Sequence, residues 1–185
     1  MEIDTGLCVL RPWRDDDIDH LASHLNDEAV WRNLSDIVPH PYTKRDAQEW
    51  ISRCKAEGVP AKNMAVVVDG RACGGIGMHL LAREKAHVAN VGYWLGKQLW
   101  GRGIATVALG AFCDHAFALF PVRRLYATVF AWNPASARVL EKNGFIAEGR
   151  LRDAVLKDGE YTDELVYGRL EVDLGEGGRR IAEAR

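Results

Sequence analysis

The residues Tyr93-Trp94-Leu95-Gly96-Lys97-Gln98-Leu99-Trp100-Gly101-Arg102-Gly103-Ile104-Ala105-Thr106 run from an apolar strand pattern through glycines into a helix. Gly101 and Gly103 let the backbone turn tightly and point successive N–H groups into one concavity, to which the helix adds its positive N-terminal end. Such a place holds phosphate, and the plain alternative is a tight turn. No Gly-Lys-Ser/Thr follows, and Thr106 stands where a dinucleotide fingerprint has its third glycine, so both nucleotide readings weaken.

A second chemical stretch is Asn133-Pro134-Ala135-Ser136-Ala137-Arg138-Val139-Leu140-Glu141-Lys142-Asn143-Gly144-Phe145. It reads as a short helix capped by Asn133, started by Pro134 and ended by Gly144. The cap accounts for Asn133 without any further role. Ser136 is less well accounted for, although a serine near a helix start can bond its own backbone. His20 and His24 lie four apart, a spacing that can hold zinc, but no Glu follows His20, and no metal is expected.

The elements that must position these groups fit one domain. The chain has 185 residues, 48% of them hydrophobic, enough for a sizeable core over residues 1–170, with a polar tail at 171–185. Lys and Arg number 24 against 26 Asp and Glu, so the net charge of −2 gives no general attraction to nucleic acid or membrane. Cys8, Cys54, Cys73 and Cys113 form no Cys-x-x-Cys pair and read as reduced thiols. Glu2 and Asp4 open the chain where a leader would be basic then apolar, and no run approaches a membrane span; a cytoplasmic protein is expected.

Along the chain, Leu7 to Leu10 suits a first strand, and Asp15-Asp16-Asp17 opens a helix with Ile18, Leu21, Ala22 and Leu25 on one face. Ala29 to Leu34 suits a second short helix. Thr43 caps a third, running to about Glu57 with Ala47, Trp50, Ile51 and Cys54 as its stripe. Trp31, His40, Tyr42 and Trp50 can line an acceptor pocket or simply fill core. Asn63 to Val68, Asp69-Gly70 and Arg71 to Leu80 make a hairpin, with Gly74, Gly75 and Gly77 marking a bulge or a close backbone approach. Val88 to Leu95 is the next strand. A long helix follows the glycine loop, with Ile104, Val107, Ala108, Ala111, Phe112, His115 and Leu119 at helical spacing. Arg124 to Trp132 alternates as a strand, and Ile146 to Leu156 with Tyr161 to Leu170 forms a last hairpin around Asp158-Gly159.

Taken together, the two chemical stretches resemble the GCN5-related N-acetyltransferase superfamily, in its RimJ/RimL-type branch of ribosomal-protein-alanine acetyltransferase-like proteins. Gln98-Leu99-Trp100-Gly101-Arg102-Gly103 stands as the Gln/Arg-x-x-Gly-x-Gly/Ala acetyl-CoA signature, preceded by Gly92-Tyr93-Trp94-Leu95. Asn133-x-x-Ser136, Lys142-Asn143-Gly144-Phe145 and Glu148-Gly149 form the second match, and the likeness covers about residues 6–170. The resemblance implies an α+β, three-layer fold. Its mixed sheet of about seven strands splays open between the strand ending at Leu95 and the one ending at Trp132, with helices on both faces.

It also implies acetyl transfer from acetyl-CoA to a primary amine, a protein N-terminus or a small molecule, by direct attack. The pyrophosphate would sit on amides between Gln98 and Gly103, with Ile104 and Ala105 completing the seat, and the pantetheine would pair near Trp94 and Leu95. The Leu95 N–H would polarise the carbonyl, Ser136 would contact the sulfur, Asn133 would hold the pantetheine, and Arg138 and Lys142 would reach the phosphates. No carboxylate occupies either position used as base in similar proteins, since Ala89-Asn90-Val91 and Ala154-Val155-Leu156 stand there. Glu28, His79, Glu148 or a chain of waters is left, His79 also counting as a pocket residue. A CoA-binding module without catalysis and a nucleotide-phosphate enzyme using the loop alone stay open as alternatives. A homodimer is compatible with the branch.

Overall fold

The computed structural model describes residues 1–172, so nearly all of the expected tail lies outside the described residues. One eight-stranded sheet runs β1-β2-β3-β4-β5-β6-β8-β7. Its strands are β1 (Ile3–Asp4), β2 (Val9–Pro12), β3 (Asn63–Val68), β4 (Arg71–Leu80), β5 (Val88–Leu95), β6 (Arg124–Phe130), β7 (Ile146–Lys157) and β8 (Glu160–Leu170). The strand beyond the expected seven is β1, whose two residues are too short to carry a period. Among the described strands only β5 and β6 are parallel neighbours.

Alternation along the strands sends side chains into two apolar layers. Met64, Val66 and Val68 of β3 join Leu125, Ala127 and Val129 of β6 in a core under α4 (Ile104–Leu119) and α5 (Pro134–Lys142). Ala65 and Val67 point the other way, into a layer built by α1 (Ile18–Leu25), α2 (Glu28–Trp31) and α3 (Lys44–Ala56). The Thr43 hydroxyl accepts from the Asp46 N–H while Asp46 accepts from the Thr43 N–H, the reciprocal cap that starts α3. Helix α4 crosses the middle of the sheet and buries more than one stripe: Leu109, Cys113, Ala116 and Phe117 are inside, whereas Leu119, expected on the packed face, is exposed. The acidic triplet does more than complement a helix start. Asp17 is buried and takes both guanidinium nitrogens of buried Arg11 at 2.7 Å.

In the β3–β4 hairpin the register jumps from Val66↔Gly74 to Val67↔Ala72, leaving Cys73 as the bulged residue. The glycines beside it allow close approach: a Cβ on Gly74 would lie 2.5 Å from the Trp94 carbonyl oxygen. Among the described residues no helix is long and apolar enough to cross a membrane.

Candidate active site

The site begins as a defect in the sheet. β5 and β6 pair only at Val88↔Arg124, Ala89↔Leu125 and Asn90↔Tyr126, after which they part. The β4–β5 register, closed by the Gly96 N–H donating to Cys73 O at 2.7 Å, turns the main-chain groups of residues 92, 94 and 96 toward β4. Those of Tyr93 and Leu95 therefore face β6, which is no longer there. The Trp100 indole N–H takes the Leu95 carbonyl at 2.7 Å. The Leu95 N–H and both polar groups of Tyr93 are left facing a cleft of about 1020 Å³.

One end of this cleft is the glycine loop. Gly101 and Gly103 sit at φ 74° and 77°, which non-glycine residues adopt only with strain, and Gly103 caps α4. The Thr106 and Val107 N–H groups return to the Gly103 carbonyl at 3.1 and 3.2 Å. The five amides from Gly101 to Ala105 make no hydrogen bond to any described residue. They form an anion seat reinforced by a sixteen-residue helix. Of the residues expected to bind cofactor in this segment, Gln98 and Arg102 lie outside the cleft lining and are exposed; the others line it.

The opposite wall is α5. Asn133 Oδ1 accepts from the Ser136 N–H at 3.1 Å, the expected cap, while its Nδ2 has no partner among the described residues. Tyr93 Oη lies 2.9 Å from both the Ser136 carbonyl oxygen and Ser136 Oγ. Burial pushes the Tyr93 phenol up to about 12, against the lowering effect of its Ser136 bond, so it stays protonated. When the phenol donates to the Ser136 carbonyl, the serine O–H is directed at the phenol oxygen. When the phenol donates to Oγ, the serine proton is free to point into the cleft. Tyr93 was legible in sequence only as part of a strand. Arg138 and Lys142 also line the cleft. Asn143 braces the two walls' helices, donating from Nδ2 to Thr106 O at 3.1 Å and Val139 O at 2.8 Å.

The side of the cleft toward α1–α3 differs from expectation. Of the five aromatic and histidine candidates only Trp50 lines it. Tyr42 is a core residue of the α1–α3 layer. His40 is exposed and stacks on Trp31 at 4.7 Å, and Trp31 in turn lies 3.6 Å beneath the Lys157 ammonium. Lys157 is buried and holds Asp36 at 2.5 Å, tying the α2–α3 loop to the β7–β8 hairpin. His79 is exposed on β4 outside the cleft. Neither Glu28 nor Glu148 lines it, and Glu148 is engaged by Arg124, whose paired N–H groups hold its carboxyl below the usual range. The lining carboxylates among the described residues are Asp36 and Glu164, and neither belongs to the motifs that the sequence displays. Nothing in their sequence neighbourhood marks them.

A split sheet with a bare anion seat at one end and a hydroxyl pair on one wall defines a class. A family profile described as the acetyltransferase (GNAT) domain matches residues 8–146, and the chain belongs to that family. It is 37% identical over 82 residues to the ribosomal-protein-serine acetyltransferase of Escherichia coli, covering 44% of this chain and 46% of that protein. It is 28% identical over 171 residues to the uncharacterized N-acetyltransferase p20 of Bacillus licheniformis, covering 90% and 94%. The solved structure of Mycobacterium smegmatis RimJ in complex with CoA-disulfide superposes with a TM-score of 0.78 at 26% identity, covering 93% of this chain and 86% of that one. The chain spans about half the length of several curated relatives it matches.

Proposed function

We propose that the protein transfers the acetyl group of acetyl-CoA to a primary amine, a protein N-terminus or a small-molecule amine, by direct attack in a ternary complex. The observation that carries this is the run of five unbonded amides at the head of α4, opening onto the slot where β5 and β6 part. The residues fit the donor substrate. The amides of residues 101–105 would hold the pyrophosphate, and Arg138 and Lys142 would reach the phosphates. The split-facing groups of Tyr93 and Leu95 would pair with the pantetheine amides, assisted by Asn133 Nδ2.

In the reaction the amine nitrogen attacks the thioester carbonyl, a C–N bond forms and the C–S bond breaks. The Leu95 N–H would stabilise the oxygen that gains charge. Ser136, held by Tyr93, would give a proton to the departing thiolate. A covalent relay through a cysteine is disfavoured: none of the four lines the cleft, and burial pushes the Cys54 and Cys113 thiols up to about 12. The four free thiols also fit a reducing, cytoplasmic setting.

Thiol release measured across a panel of alkylamines and N-terminal peptides, together with calorimetry of CoA binding, tests the reading. Turnover on at least one amine is expected. CoA binding with no turnover would instead favour a binding module without catalysis, a second reading motivated by the amide of Asn90 on the cleft wall. ATP binding without CoA binding would overturn both.

A further inference from the structure

The cleft is electrically divided. Among the described residues its lining cations are Arg138, Lys142 and Lys157, and its lining anions are Asp36 and Glu164. Arg138 and Lys142 stand on α5, beside the anion seat. Lys157 and Asp36 neutralise each other at 2.5 Å, with the ammonium also resting on the Trp31 ring. Glu164 is left as the one lining carboxylate with no hydrogen bond or ion pair to any described residue.

Its placement follows from the register. Glu164 of β8 sits opposite Phe130 of β6 on one side and Leu151 of β7 on the other. Leu125, Ala127 and Val129 point into the core beneath α4, so Phe130 and Glu164 project from the other face, toward α1–α3. The Tyr93–Ser136 pair lies on the α4–α5 face. A thioester held in the slot would then have the proton-donating hydroxyls on one side and a free carboxylate on the other.

We propose that Glu164 receives the acceptor's ammonium and takes the proton it must lose to free the nitrogen lone pair, while the second proton, shed as the C–N bond forms, replaces the one that Ser136 gives to the departing thiolate. The same charge, with no unpaired cation lining this side among the described residues, makes the protein select amines that carry no carboxylate of their own. This rests on the acetyltransferase reading and names its acceptor class: the α-amines of peptides and of amino-acid amides, and alkylamines, in preference to free amino acids. A free amino acid would bring its carboxylate against Glu164 with nothing to neutralise it.

The experiment compares kcat/KM for L-alaninamide, or an N-terminal alanyl peptide, with that for free L-alanine, in the wild type and in Glu164→Gln. The wild type is expected to favour the amide at least tenfold, and Glu164→Gln to lower the amide's value at least tenfold while reducing the preference to within about twofold. CoA affinity by calorimetry should not move. A misfolded variant would lose CoA binding as well, and Glu164→Asp, which keeps the charge, should then retain the preference. A preference unchanged in Glu164→Gln, or a wild type that prefers the free amino acid, overturns the inference while leaving the acetyltransferase reading standing. Absence of turnover on every amine overturns both.

Discussion

Replacing Tyr93 by Phe removes one oxygen that lies 2.9 Å from two oxygens of Ser136. Each bond contributes about 1 kcal/mol net, so Tyr93→Phe should cost about 2 kcal/mol of stability. Ser136→Ala loses only the hydroxyl contact, because its carbonyl remains, and should cost about 1 kcal/mol. The double variant should be no less stable than Tyr93→Phe alone, giving a coupling of about 1 kcal/mol. For a chain of this size about 2 kcal/mol corresponds to a Tm lowered by roughly 4–8 °C. Urea titration by circular dichroism measures the four corners of the cycle. Thiol-release kinetics on the same proteins read the catalytic consequence. If during the reaction the phenol shifts its proton from the Ser136 carbonyl to Oγ and so frees the serine proton for the thiolate, losing about 1.4 kcal/mol of that orientation lowers kcat about tenfold, with KM for acetyl-CoA little changed because the amide seat is untouched. Additive stabilities, or an unchanged kcat at saturating acetyl-CoA, would refute the reasoning.

Gly103→Ala meets no atom closer than the Leu7 methyl at 3.9 Å, so its cost of about 1–2 kcal/mol is backbone strain; CoA titration calorimetry should show affinity weakened about tenfold as the amides turn away. Asp17→Asn strands the buried Arg11 guanidinium and should cost about 3–5 kcal/mol by urea titration at pH 7. Burial works to raise the Asp17 carboxyl, but the Arg11 and Arg14 hydrogen bonds outweigh it and hold it below the ordinary range. Its stabilisation is therefore present above the unfolded value near pH 4 and lost as pH falls through the lower folded one, and Asp17→Asn should remove that part of the acid dependence. Gly74→Ala drives a methyl to 2.5 Å from the Trp94 carbonyl and should lower Tm by several degrees, whereas Gly92→Ala, which meets nothing within 4 Å, should leave Tm nearly unchanged.

What the sequence displays is what local chemistry decides. The Thr43 and Asn133 caps, the Asp69-Gly70 and Asp158-Gly159 turns and the glycine seat each depend on residues within a few positions, and each could be read from them. Contacts made by distant partners could not. Tyr93 and Ser136 are 43 residues apart, and the Lys157–Asp36 link spans 121. Lys157 looks like an exposed hairpin lysine until the fold sets Trp31 beneath it. The positions beside the recognisable motifs, Ala89-Asn90-Val91 and Ala154-Val155-Leu156, carry no carboxylate. Glu164 is in the slot because β8 pairs with β6 out of sequence order, which no period along the chain announces. The aromatic candidates between residues 31 and 50 share a region but not a surface, since Asn26 holds the Tyr42 backbone with its ring in the α1–α3 core while Trp50 on α3 reaches the cleft.

Between β5 and β6 the ladder holds three residue pairs, with the Arg123 and Arg124 N–H groups on the His87 carbonyl and Asn90 Nδ2 on the Tyr126 carbonyl beside them. Beyond Asn90 the two strand edges stand apart, and a guest lying along β5 would supply the main-chain partners that β6 withholds. Acetyl-CoA would then act as a temporary ninth strand. The edge groups of Tyr93 and Leu95 would be paired while it is bound and open again once CoA leaves, so hydrogen exchange at these two amides would slow and recover with each turnover.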